Sequence, residues 1–481
     1  MNKLKQLLHK QRSNSDSKRN FSYYWKLIRD ALNGSEQDFT SLRLSKAIIL
    51  LAIPMVLEMM MESIFAIVDI FFVSKLGSNA VATIGLTESL MTLVYALGIG
   101  FSAGTTAIVA RRIGEKNEKE AARSAIQAIF LGIFASFIFS IPGILFPKQL
   151  LLMMGATQYA ADNYSGFTAI MLGSNAVIML LFIINAVFRS AGNAAISLRV
   201  LVLANSINII LDPILIFGLG PIPAFGIEGA AIATATGRGI GVLFQIYMLI
   251  IGKGRIRIRL HELTIHWNTM LQLVKLSAGG IAQYLIATAS WVGLVRIISV
   301  FGSGAVAGYT IAFRIIAFML LPSWGLSNAA ATLVGQNLGA EKPFRAERSA
   351  WITGFFNMGF LGIISLILII FPHWFITFFS KDVSVIEHGV QCLQIVSYGF
   401  LFYAMGMVMS QSLNGAGDTF TPTLLNFICF WIIEVPLAYL LSITFHLESG
   451  GVYYAIIIAE SILTILSAYM FYRGKWKLKK V

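Results

Sequence analysis

The sequence is poor in charge: of 481 residues only 12% are Asp, Glu, Lys or Arg, against 57% hydrophobic. A soluble protein is usually about 25% charged. This chain therefore has too little charge for a water-facing surface, and lipid must be the solvent for much of it. Cysteine is nearly absent: Cys392 and Cys429 both lie inside apolar runs, which excludes a disulfide framework. The 6 histidines are scattered without metal-ligand spacing. No HExxH, GxSxG or Walker A segment occurs, which argues against a membrane-embedded enzyme and an ATP-driven pump. Gly237-Arg238-Gly239-Ile240-Gly241 reads as helix packing rather than a phosphate loop. The net charge of +13 is spread between apolar runs, so nucleic acid is not an expected partner. No filter-like loop interrupts a run, which disfavours a passive channel.

What is present is a series of long apolar stretches. Spans of roughly 20 mainly apolar residues are predicted near 46–73, 81–110, 124–147, 162–188, 194–218 and 226–251. A second set follows near 271–301, 305–338, 345–371, 384–413, 419–442 and 450–472. The predicted fold is an all-α polytopic membrane protein of twelve helices. An N-terminal segment (1–45), a six-span half (46–251), a linker (252–270), a second half (271–472) and a basic tail (473–481) make up the chain. Lys and Arg cluster in alternate loops, among them Arg111, Arg112, Arg189, Arg199, Lys342 and Arg345. The positive-inside rule then puts both termini in the cytoplasm, as an even number of spans requires. Phe21, Tyr24, Trp25, Ile28 and Leu32 recur at helical spacing, which fits either an amphipathic helix on the membrane or a disordered basic tail.

The chain is written twice. Leu76-Gly77-Ser78 reappears as Phe301-Gly302-Ser303, an offset of 225 (302 − 77). Gly192 and Gly417, Gly114 and Gly339, and Gly226 and Gly451 keep the same offset, and Asp212-Pro213 is nearly in step with Glu434-Val435-Pro436. Two parallel six-span copies about a cleft suit alternating access.

These anchors carry a resemblance. Ala52-Ile53-Pro54, Val68-Asp69, Arg189-Ser190-Ala191-Gly192-Asn193, Asn208-Ile209-Ile210-Leu211-Asp212-Pro213 and Asn414-Gly415-Ala416-Gly417-Asp418, in this order, resemble the multidrug and toxic compound extrusion (MATE) transporters, from about residue 41 to 472. The resemblance implies export of lipophilic, often cationic organic compounds in exchange for H⁺ or Na⁺, without cofactor or ATP, by a monomer in the bacterial inner membrane. It also places a cation-coupling site on Asp69, Asn208, Asp212 and Thr234. Asn208 and Asp212 are i and i+4 and share a helix face; two carboxylates brought together can bind a hard cation or share one proton.

Glu58, Glu62 and Asp69 are offset by 4 and 11 residues, about 40° and 20° around a helix, and so face one way. Pro54, one turn earlier, marks a bend. Glu58 and Glu62 either draw cationic substrates into the cavity or are satisfied by neighbouring helices. The seventh span has no Asp or Glu from Leu273 to Val300, and the tenth has none between Gly399 and Asn414, so coupling is expected to rest on the first half, as in the DinF-like branch of the family. Glu434 is read as the one deep acid of the second half, a second coupling site or a relic paired with Arg314. The rival cargo is a lipid-linked sugar, for which a flippase would line its cavity with Arg or Lys.

Overall fold

The structure, a computed structural model, describes residues 21–34, 37–252, 254–259 and 262–479. The chain opens with α1 (Phe21–Asn33). The first half continues with α2 (Leu44–Val73), α3 (Ser78–Gly114), α4 (Glu118–Leu145), α5 (Gln158–Ser190), α6 (Ala194–Phe217) and α7 (Ile227–Ile250). The second holds α8 (Trp267–Ile298), α9 (Ser303–Gly339), α10 (Pro343–Ile370), α11 (Val383–Tyr398), α12 (Phe400–Gly415), α13 (Phe420–Thr444) and α14 (Glu448–Tyr472). Among the described residues 11 helices are long and apolar enough to cross a membrane, and the pair α11 and α12, bent by 58°, makes up to 12. The spans lie where the apolar runs predict them, apart from a few residues at each end.

Local chemistry sets the boundaries. Asn117 caps α4 by accepting the Glu120 amide at 3.1 Å, and Asp382 caps α11 by accepting the Ser384 amide at 2.9 Å. The sequence repeat is also a backbone repeat. Gly77 (φ +96°) and Gly302 (φ +99°) turn the first span of each half into the second, at a φ that a side chain rarely adopts. Gly192 (+90°) and Gly417 (+87°) do the same three spans later.

Each half has its own core. Phe101, Phe167, Met171 and Met179 centre one, and Tyr309, Ile315, Phe400 and Tyr453 the other. The halves meet where Leu50, Leu51 and Met55 of α2 pack against Leu326, Ala329 and Leu333 of α9. Hydrogen bonds joining the halves gather at the face that carries both chain ends, here called the terminal face. Gln336 Nε2 donates to Ser190 O at 2.8 Å, Arg345 Nη2 to Phe39 O at 3.0 Å, and Arg111 Nη2 to Lys479 O at 2.9 Å.

The tightest joint is reciprocal. A Cβ on Gly114 would lie 2.0 Å from Gln336 O, and one on Gly339 would lie 2.0 Å from Arg111 O. Both pairs are related by the 225-residue offset, so α3 and α9 cross as pseudo-symmetric equivalents with backbone against backbone. The cleft between the halves is thereby shut at the terminal face.

The N-terminal pattern forms a helix, and it docks on protein: Leu27 and Ala31 are buried with Phe39 and Ala47, while Trp25 is exposed. The basic tail is likewise packed. Trp476 is fully buried and stacks on Phe471 at 4.5 Å, and Lys477 pairs with Glu347 at 2.6 Å. In the linker, Ile256 and Ile258 turn into the first half's core while Arg257 and Arg259 face outward.

Candidate cation-coupling site and cleft

Asn208 and Asp212 project from one face of α6 and Thr234 meets them from α7; all three are buried. The Asn208 amide serves both neighbours when its nitrogen faces Asp212 Oδ2 (2.9 Å) and its oxygen faces Thr234 Oγ1 (3.2 Å). Close packing brings the helices together, since Gly237 of α7 lies where a Cβ would meet Ala204 O at 2.6 Å. Asp69, partly buried on α2, is near enough to act electrostatically on Asp212 and to feel Arg238. All four residues suggested by the resemblance thus lie in one region. Among the described residues, no three His, Cys, Asp or Glu side chains come together as a metal site.

Pro54 lies inside a continuous α2 and gives no N–H to the Leu50 carbonyl. The α9 backbone sits against the same turn: a Cβ on Gly325 would come 2.6 Å from Met55 O. The weak point of α2 is therefore part of the joint between the halves.

Glu58 and Glu62 both line a cavity of about 180 Å³ between the halves, which Leu321, Trp324 and Gln411 wall from the second half, and each meets an arginine there. Arg189 Nη1 lies 2.7 Å from Glu58 Oε1, with both side chains buried, and Asn185 adds a bond at 3.2 Å. Arg238 Nη2 reaches Glu62 Oε1 at 3.2 Å and lies over the Phe65 ring at 5.1 Å. The glutamates present ion pairs to the cavity rather than bare negative charge.

Three sequence expectations need correction. Arg189, read as a loop cation, is only 6% exposed and turned inward on α5. Arg314 is exposed on α9 and does not pair with Glu434, whose Oε2 instead accepts from Ser290 Oγ at 2.6 Å. Nor is Glu434 the one deep acid of its half: Glu460 on α14 is also buried, bonded to the Tyr403 hydroxyl and close to Glu434. The sequence reading also passed over Glu88 on α3, which lies in the field of Arg238 and Asp69 and bonds Tyr95. The signal was available, because Glu88 and Glu460 stand alone inside apolar runs where an acid is costly.

A cleft between two repeated helical halves, with carboxylates buried along its walls, defines a membrane transporter. The MatE family model matches residues 54–214 and again 281–440, one match in each half. The chain belongs to the MatE family, whose members are transporters and not enzymes. It is 25% identical over 439 residues to the protein named "Probable multidrug resistance protein NorM" of Thermotoga maritima, covering 91% of this chain and 94% of that one. A protein of Shewanella oneidensis named "FAD transporter" is 25% identical over 399 residues, covering 82% and 87%. Among solved structures, one described as "Outward-facing conformation of a multidrug resistance MATE family transporter of the MOP superfamily" has the same fold. Its TM-score is 0.85 at 22% identity, over 91% of this chain and 98% of that one.

Proposed function

We propose that the chain is a secondary active antiporter that expels lipophilic, often cationic organic compounds in exchange for H⁺ or Na⁺. The terminal face lies in the cytoplasm of a bacterial inner membrane, so the closed terminal joint makes this the outward-facing state. Coupling rests on the first half. The observation that carries the reading is the convergence of Asp69 and Asp212 beside the Asn208–Thr234 pair. Two carboxylates in a low-dielectric site hold each other's charge only with a cation or a proton between them. Filling the site would pull α2 and α6 together and bend α2 near Pro54, closing the cavity behind a departing substrate.

The test is dye efflux from proteoliposomes under an imposed pH gradient or Na⁺ gradient, for wild type and D69N. One gradient is expected to drive wild-type efflux, and D69N is expected to abolish it. Normal pumping by D69N would overturn the site assignment. A second reading, export of a phosphate-bearing cargo such as a lipid-linked sugar, draws on Arg189 and Arg238 in the cavity wall. It requires the cargo to displace Glu58 and Glu62 from their arginines, and it gains ground if neither gradient moves a cationic dye.

A further inference from the structure

Two arginines face the cavity between the halves, and they are held differently. Arg189 is committed: it lies 2.7 Å from Glu58 and 3.3 Å from the Ser102 hydroxyl, and the Glu58 side chain is only 2% exposed. Arg238 is contested. Its bond to Glu62 is longer, at 3.2 Å, and the Glu62 side chain is 35% exposed on the cavity wall. The buried Nε of Arg238 meets no acceptor. A guanidinium with one long bond and an unused donor has other directions open to it.

Helix register shows where those directions lead. The guanidinium stands over the Phe65 ring at 5.1 Å. Phe65 is three residues after Glu62 and four before Asp69, so all three share one face of α2. The two carboxylates are two turns apart, about 10 Å along the axis, with the guanidinium between them. On its own helix Arg238 follows Thr234 by one turn on the same face, which sets it beside the candidate coupling site. Asp69 lies in its field. From α3 the Tyr95 hydroxyl meets both Arg238 and Glu88, and so holds the guanidinium from a third side. One positive charge is thus shared by Glu62, Asp69 and Glu88, and it cannot cancel all three.

We infer that Arg238 is the positioning residue that links the coupling site to the cavity, by dividing its charge between Asp69 and Glu62. The inference rests on the antiport reading and supplies its internal link. When the coupling ion neutralises Asp69, Arg238 is left to Glu62, the cavity wall carries no free negative charge, and a cationic cargo is released. When the ion leaves, Asp69 draws the guanidinium towards itself and Glu62 faces the cavity as a bare carboxylate. Ion and cargo then oppose each other without sharing an atom, and by linkage each weakens the other by the same factor. Arg189 cannot serve in this way, because its bonds to Glu58 and Ser102 are made inside the protein.

The test is a mutant cycle read by equilibrium binding of ethidium, a cationic dye, to the purified full-length protein in detergent. D69N stands for the ion-filled site, because it removes a charge that competes for Arg238. In the wild-type background D69N is expected to weaken ethidium binding about fivefold or more, the lower end of ordinary coupling between sites. In the R238Q and E62Q backgrounds the same change is expected to have less than about a twofold effect, and R238K, which keeps the charge, to restore most of it. A direct pull of Asp69 on the dye predicts the opposite, since that pull persists when Arg238 is gone. An equal D69N effect with and without Arg238 overturns the inference, as does a wild type in which D69N changes nothing or to which ethidium does not bind. If R238Q fails to fold, the E62Q background decides. Binding needs no gradient, so efflux that neither gradient drives would sink the antiport reading whatever the cycle gives. Efflux abolished by D69N with no cycle would leave antiport standing and remove Arg238 as its link.

Discussion

The two halves share a backbone plan and differ in how they treat buried acid. In the first, Glu58 and Glu62 meet Arg189 and Arg238 across helix boundaries. In the second, Glu434 and Glu460 meet the hydroxyls of Ser290 and Tyr403. An ion pair cancels charge and fixes geometry, whereas a hydroxyl fixes the geometry and supplies no counter-charge. Duplication supplied one scaffold, and differences at a few inward positions gave its copies different partners for buried acid. Asp69 and Asp212 complicate the first half, since the arginine nearest Asp69 is already paired with Glu62.

The contrast is sharpest at Arg189. R189A would leave Glu58 buried without its partner, a change that typically costs about 3–5 kcal/mol. The matching change, S290A, removes one hydrogen bond from Glu434 and is expected to cost about 1–3 kcal/mol. Thermal unfolding of both variants in the same detergent compares them, and a larger loss for S290A would break the contrast. In R189A/E58A much of the loss should return, because the stranded charge is gone.

The reciprocal glycines test likeness rather than difference. G114V and G339V each force a side chain against backbone at 2.0 Å, with no flexible neighbour to yield. Either change should unseat the terminal joint to a similar degree. A cysteine placed by S190C, beside the Gln336 bond, is expected to react with a membrane-impermeant thiol reagent in both variants and to be protected in the parent. Opening by one variant alone would mean that the halves are alike in geometry but not in energy.

The smallest effect concerns the segment before α2. Burial pushes the Asp38 carboxyl up, but bonds from the Thr40 hydroxyl (2.6 Å) and amide (3.0 Å) outweigh it and hold the group below its ordinary value. A depressed folded value stabilises fully above the ordinary carboxylate range, and the contribution is lost as pH falls through the depressed value. Amide exchange at Thr40 and Ser41 should therefore rise on acidification below about pH 4, and should already be raised at neutral pH in D38A.

The fold was legible because its signals are local or periodic. Apolar runs set the spans, and the 225-residue offset picked out Gly77 and Gly302, positions where φ itself demands glycine. The candidate coupling residues were legible through resemblance and helix register together. Pairing was not. Glu58 and Glu62 were correctly placed on one face of α2, but which helix answers that face depends on packing between distant segments. Arg189 ends a span next to a loop, so its sequence position looks solvent-facing and only the bundle turns it inward. Arg314 shows the converse, since a charge deep in the sequence run of α9 points away from the acids. Glu88 and Glu460 match no motif, and attention to matched positions hid two costly residues in plain view.

The joint at the terminal face also depends on parts that the repeat does not contain. The stretch before the first half gives its Phe39 carbonyl to Arg345 and its Thr40 carbonyl to Lys342, both belonging to the second half. The stretch after the second half gives its Lys479 carbonyl to Arg111, in the first. The ends are thus crossed like folded arms, each resting on the opposite shoulder. These crossed ends add to the covalent linker and to the direct joint in tying the two copies together. Under the proposed rocking, opening this face requires these crossed bonds to part, so segments outside the repeat bear on a movement of the repeat.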